Sequence, residues 1–187
     1  MNGKTHCVAG VASGGLLTLY RARDLPPPDR ALEVLGSMIG GLVGGKAPDS
    51  QYIDPSSLGP NHRRFGHSWA MLGAHIYVAD AVVSAWERFC RAKADEIARC
   101  LANSSAMVGF ERFLLVLQEI AWRVTAGLLA GFIAGYTSHL VLDACTVKSL
   151  PVFGSDFMNS PFMPAAGIDV AINASATRGA QTTYSRV

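Results

Sequence analysis

The chain has 187 residues, half of them hydrophobic and 16% charged, with a formal net charge of +2. A typical globular chain carries about 25% charged residues, so this one is expected to be unusually buried, oligomeric or in contact with a membrane. The small net charge makes no case for a nucleic-acid partner, and the length suits one domain with a real core.

Residues 8–20 predict a first helix, rich in small residues (Gly10, Gly14, Gly15), with His6 just ahead of it. The N-terminal stretch has no small-residue cleavage site and is not read as a signal peptide. Residues 21–29 are expected as a break, because the run Pro26, Pro27, Pro28 cannot continue a helix. Residues 30–43 predict a second helix. A polar loop follows over 44–61, holding Pro48, Pro55, Gly59 and Pro60 and carrying Asp49 and Asp54. Long loops in small domains are commonly functional. Residues 67–102 are helical and change character midway. The first half is apolar; the second, over 87–99, is charged and amphipathic and is expected to be a solvated face. Asn103, Ser104 and Ser105 form a turn and cap. A long helix is expected over 111–143, with a break near 122–125, and Pro151 ends regular structure. No period-two alternation persists. The fold class is therefore all-α: a compact multi-helix bundle over residues 1–170, followed by a polar, loosely ordered tail over 171–187.

Two glycine series constrain the packing. Gly36, Gly40 and Gly44 recur every four residues, as do Gly127, Gly131 and Gly135, so each series lines one helix face. Helical glycine costs up to about 1 kcal/mol, a cost offset where another backbone comes close. Membrane helices and tight soluble bundles both use this device, and it also offers a route to a homo-oligomer. Residues 124–142 form the longest stretch without a charged residue if His139 is neutral, long enough to span a bilayer. Residues 69–79 are too short to do so. The four cysteines, Cys7, Cys90, Cys100 and Cys145, are too widely spaced for a CxxC pair; reduced, mostly buried thiols are expected.

Four of the five histidines fall in short polar clusters: His139 with Asp143, His62 with His67, and His6 beside Thr5. His139 and Asp143 lie four apart in an apolar helix, hence on one face, one turn apart. A buried imidazole and carboxylate need a partner, a metal or a reaction to justify their burial. His62 and His67 are five apart, which is not a same-face spacing. One belongs to a loop and the other to a helix start, where Ser68 is expected to cap. Arg63 and Arg64 between them suit an anion, since guanidinium matches phosphate bidentately. His75 lies two turns beyond His67 and reads as a packing histidine. Together, His6, Asp49, His67, His139 and Asp143 suffice for one or two divalent ions, zinc first and manganese or iron next. His62 and Asp54 are candidates for catalytic proton transfer, and Arg63 and Arg64 for binding substrate.

In order and context these clusters resemble the YdjM-like membrane-bound metal-dependent hydrolases. The matching pieces are Thr5-His6, the run from Gly44 to Asp49, the run from His62 to Ser68, and the run from Gly135 to Asp143 with Thr146. The resemblance implies a helical protein of a bacterial-type inner membrane, with a cytoplasmic location as the alternative, that holds divalent metal and hydrolyses its substrate. Two positions depart from the pattern: Gln51 stands where the loop's second acid is expected, leaving Asp54 to replace it, and Lys148 stands where a small residue is expected. The cluster is also distantly similar to the helical site of zinc-dependent phospholipase C and P1-type nucleases, which points to a phosphoester, a small molecule that is a lipid or a nucleotide. The rival reading is a non-enzymatic membrane, envelope or oligomeric protein with a structural metal.

Overall fold

The structure, a computed structural model, describes residues 3–50, 65–103, 109–145 and 150. The described residues form four helices: α1 (Gly3–Arg21), α2 (Pro27–Gly44), α3 (Trp69–Asn103) and α4 (Gly109–Ala144). Short 3-10 turns at Ala47–Asp49 and Phe65–His67 lie between α2 and α3. There is no strand among the described residues, and the fold is the expected all-α bundle. The 171–187 tail lies outside the described residues.

Several boundaries differ from the sequence expectation for identifiable reasons. α2 starts on the proline run rather than after it. Proline lacks an N–H, but the first turn of a helix has no partner for that group, so proline begins a helix as readily as it ends one. α1 begins early enough to include His6. α4 is unbroken through 122–125, a stretch without proline or glycine, where Arg123 is held by Asp95 from α3 at 2.7 Å and by Asp29 from α2 at 3.3 Å. Ser68 caps α3 as expected: the Met71 N–H donates to Ser68 Oγ at 3.1 Å.

The glycine series are the contact between helices. A Cβ on Gly36, Gly40 or Gly44 would overlap the carbonyls of Val124, Leu128 or Phe132 respectively. A Cβ on Gly127, Gly131 or Gly135 would overlap those of Glu33, Ser37 or Gly41. Both series ascend together, so α2 and α4 run parallel, backbone against backbone. α1 runs antiparallel to α2, with Gly10 on Gly41 and Gly14 on Ser37. Ser37 Oγ donates to the Gly14 carbonyl at 2.7 Å and ties the two. These faces are fully engaged within one chain, which removes them as a surface for self-association.

The consequence is an inverted distribution of size. Small residues fill the contacts among α1, α2 and α4, while large apolar ones such as Val8, Leu16, Tyr20, Ile76, Tyr77 and Phe110 are exposed. A water-soluble bundle puts such residues inside; a bilayer permits the reverse, because association there rests on close packing of small residues. α4 is long and apolar enough to cross a membrane.

Charge gathers where the C-terminus of α1 and the first half of α2 meet the middles of α3 and α4. Arg21 donates through Nε to Glu87 Oε1 at 2.8 Å and through Nη1 to Asp80 at 2.6 Å. Arg91 makes a bidentate pair with Glu33 at 2.8 and 2.7 Å. The 87–99 stretch is therefore not simply a solvated face: Glu87 and Cys90 are buried, and Arg91 is half-buried between two acids. The thiol expectation is also corrected. Of the four free cysteines only Cys90 is buried, and Cys100 and Cys145 are exposed.

Candidate metal centre

The opposite end of the bundle gathers five of the predicted site residues. His6 comes from the first turns of α1, Asp49 from the turn after α2, His67 from the turn before α3, and His139 and Asp143 from the last turns of α4. His67 Nε2 lies 3.2 Å from both Asp49 Oδ1 and His139 Nε2. His139 Nε2 is 3.6 Å from Asp49 Oδ1 and 3.5 Å from Asp143 Oδ2, which is 3.7 Å from His67 Nε2. His6 Nε2 lies 3.6 Å from Asp143 Oδ1, and its ring stacks on that of His139 at 3.8 Å. All but Asp49 are buried; the Asp49 side chain is 43% exposed and forms the open side.

Local packing sets these positions. Ser50 Oγ donates to the Ala47 carbonyl at 2.7 Å and closes the turn that presents Asp49. Tyr136 Oη donates to the Gly66 carbonyl at 2.9 Å and pins the turn that presents His67. His139 Nδ1 is 2.8 Å from the Gly45 carbonyl, so that nitrogen carries the proton and Nε2 turns its lone pair to the cluster. Beneath the site, Leu140, Leu72, Tyr136, Ala47 and Leu150 form an apolar cluster. Burial opposes ionisation of Asp49, but its hydrogen bond to His67 and the proximity of His139 hold its carboxyl below the usual range.

The donor set fits a divalent ion. Bonds of about 2.0–2.2 Å to nitrogen and oxygen in a tetrahedron put neighbouring ligand atoms about 3.3–3.6 Å apart. The triangle of His67, His139 and Asp49 has edges of 3.2, 3.2 and 3.6 Å. Two overlapping groups have metal-ligand proximity, His6 with His139 and Asp143, and Asp49 with His67 and His139. They share His139, which has only Nε2 to offer, so one ion at a time can use it.

A family model described as the YdjM inner membrane protein matches residues 1–164. The chain belongs to the YdjM inner membrane protein family. No curated protein and no solved structure matches it. Membership agrees with the inverted packing of the YdjM bundle and with the apolar length of α4.

His62, Asp54, Arg63, Arg64, Gln51 and Thr146 lie outside the described residues. His75 is not part of the cluster; its ring packs edge-on against Tyr136 at 4.5 Å. Two orienting groups escaped the sequence reading. The Gly45 carbonyl has no side-chain signature. Tyr136 did have a signal, its place three residues before His139 on the same helix. The ion pairs at the far end were also missed, although Glu33 in an otherwise apolar helix face was a visible marker.

Proposed function

We propose that this YdjM protein is a metal-dependent hydrolase that cleaves a phosphoester, with zinc as the first choice of ion and manganese or iron next. The observation that supports this most is the convergence of His67 Nε2, His139 Nε2 and Asp49 Oδ1 at tetrahedral ligand spacing on the one side of the cluster open to solvent. His6, Asp49, His67, His139 and Asp143 would hold the ion. When bound, the ion supplies Lewis acidity and lowers the pKa of a coordinated water toward about 7. The chain's own groups do the rest. The Gly45 carbonyl keeps His139 in the tautomer that can ligate. Asp49, half in solvent, borders the approach of substrate. His62 or Asp54 moves the proton, and Arg63 or Arg64 holds the phosphate oxygens.

The purified protein is expected to contain near-stoichiometric metal, and His139→Ala and Asp143→Ala to lose it. Chelator-sensitive turnover across a panel of phosphomonoesters, phosphodiesters and phospholipids is the positive result. Unchanged metal content in both variants overturns the assignment. The near closure of the cluster, with His6, His67, His139 and Asp143 all buried, favours a second reading in which the ion is structural. That reading predicts metal without turnover on the same panel.

A further inference from the structure

An apolar groove of about 590 Å³ runs along the outside of the α1–α2 pair. Val11, Ala12, Leu16, Leu19, Met38 and Leu42 line it, and Cys7 closes one end. From Cys7 to Leu19 is about 18 Å of helix at 1.5 Å per residue. One leaflet of a hydrocarbon core about 30 Å thick is about 15 Å deep, so the groove has the length of one acyl chain standing in one leaflet. At Cys7 it meets a second pocket of about 630 Å³, whose lining includes Lys4, Cys7, Gly45, Lys46, Asp49 and Ser50. Lys4 and Lys46, both exposed, thus line the pocket that the apolar groove runs into, together with Asp49 of the donor cluster. An apolar trough leading to two lysines and then to the cluster matches a molecule with a hydrocarbon chain and an anionic head.

We propose that this groove seats the acyl chain of a membrane lipid whose phosphate is held at Lys4 and Lys46, making a lipid phosphoester the substrate of the site; the proposal rests on the hydrolase reading above. Lipid enters sideways from the bilayer along α1 and α2, and the ester bond arrives at Asp49 without leaving the interface. A water-soluble phosphoester reaches the same cluster but gains nothing from the groove.

Native mass spectrometry of the full chain in maltoside detergent tests this, with dipalmitoyl phosphatidic acid, its dihexanoyl analogue and dipalmitoylglycerol as probes. The wild type is expected to retain the long-chain phosphatidic acid. Retention should fall about tenfold or more in Ala12→Trp, which fills the groove, and in the Lys4→Ala/Lys46→Ala pair. The short-chain analogue and the phosphate-free lipid should be retained at the level of the double lysine variant. Tyr77→Trp, on the exposed outer side of α3, controls for an added indole. Metal content reports whether Ala12→Trp is folded, and Leu42→Trp narrows the groove from the other helix should it not be. Equal retention of phosphatidic acid and diacylglycerol, or equal retention by the groove variants and Tyr77→Trp, overturns the proposal. Turnover of bis(p-nitrophenyl) phosphate separates the two layers. Chelator-sensitive turnover of that ester without lipid retention removes the groove and leaves the hydrolase. Retention without chelator-sensitive turnover of either ester removes the hydrolase and leaves a lipid-binding groove.

Discussion

The two ends of the bundle bury charge in opposite ways. At the far end each acid meets a guanidinium: Glu33 meets Arg91, Glu87 meets Arg21, and Asp29 and Asp95 meet Arg123. At the site end imidazoles and carboxylates crowd on one another, with His67 Nε2 3.2 Å from His139 Nε2 and Asp143 Oδ2 3.5 Å from the latter. The far end pairs acid with base and staples α3 to the other three helices. The site end gathers nitrogen and oxygen atoms at the spacing a cation's ligands take. A buried polar group can thus mark either a staple or a binding site, and the sign of its neighbours tells them apart.

The largest effect should fall on both ends together, because the glycine ladder joins them. Gly131→Leu drives a side chain into the Ser37 backbone, which has no flexible group to move aside. No monodisperse protein is expected on gel filtration in detergent, and a well-behaved Gly131→Leu would show that the ladder does not bind α2 to α4. Next comes the staple. Glu87→Ala removes the bidentate partner of Arg21 and leaves it Asp80 and Ser84, at a cost of about 1–3 kcal/mol, as for a lost hydrogen-bonded charge partner. The protein that remains folded should carry a full complement of metal, so a parallel loss of metal would merge the two ends into one network. The smallest effect concerns the site alone. Tyr136→Phe frees the turn that presents His67 and should weaken metal affinity about 10–100-fold, as orienting groups around a metal do, with little change in unfolding temperature after chelation. Titration with a competing chelator reads this, and an unchanged affinity would remove Tyr136 from the positioning of the site.

The sequence was legible where chemistry follows spacing. The four-residue glycine repeats announced close helix faces, and the structure pairs α2 with α4 through them. His139 and Asp143, four apart, do share a face and do meet His6, Asp49 and His67. What stayed hidden depends on partners distant in the chain. Glu87 and Arg91 look like solvent-facing helix charges until Arg21 and Glu33 arrive from other helices. Likewise the proline run was read as an end rather than a beginning, because proline's local preference does not say which side of it the helix lies.

The cluster also has a history in the making of the chain. His6 belongs to α1, whereas His139 and Asp143 belong to α4, and α1 and α2 can pair through Gly10, Gly14 and Gly41 long before α4 is synthesised. The parallel seam of α4 against α2 is what brings the last two donors to the first. The site therefore comes into existence only as α4 seats against α2, and its formation is a molecular record that this seam has closed.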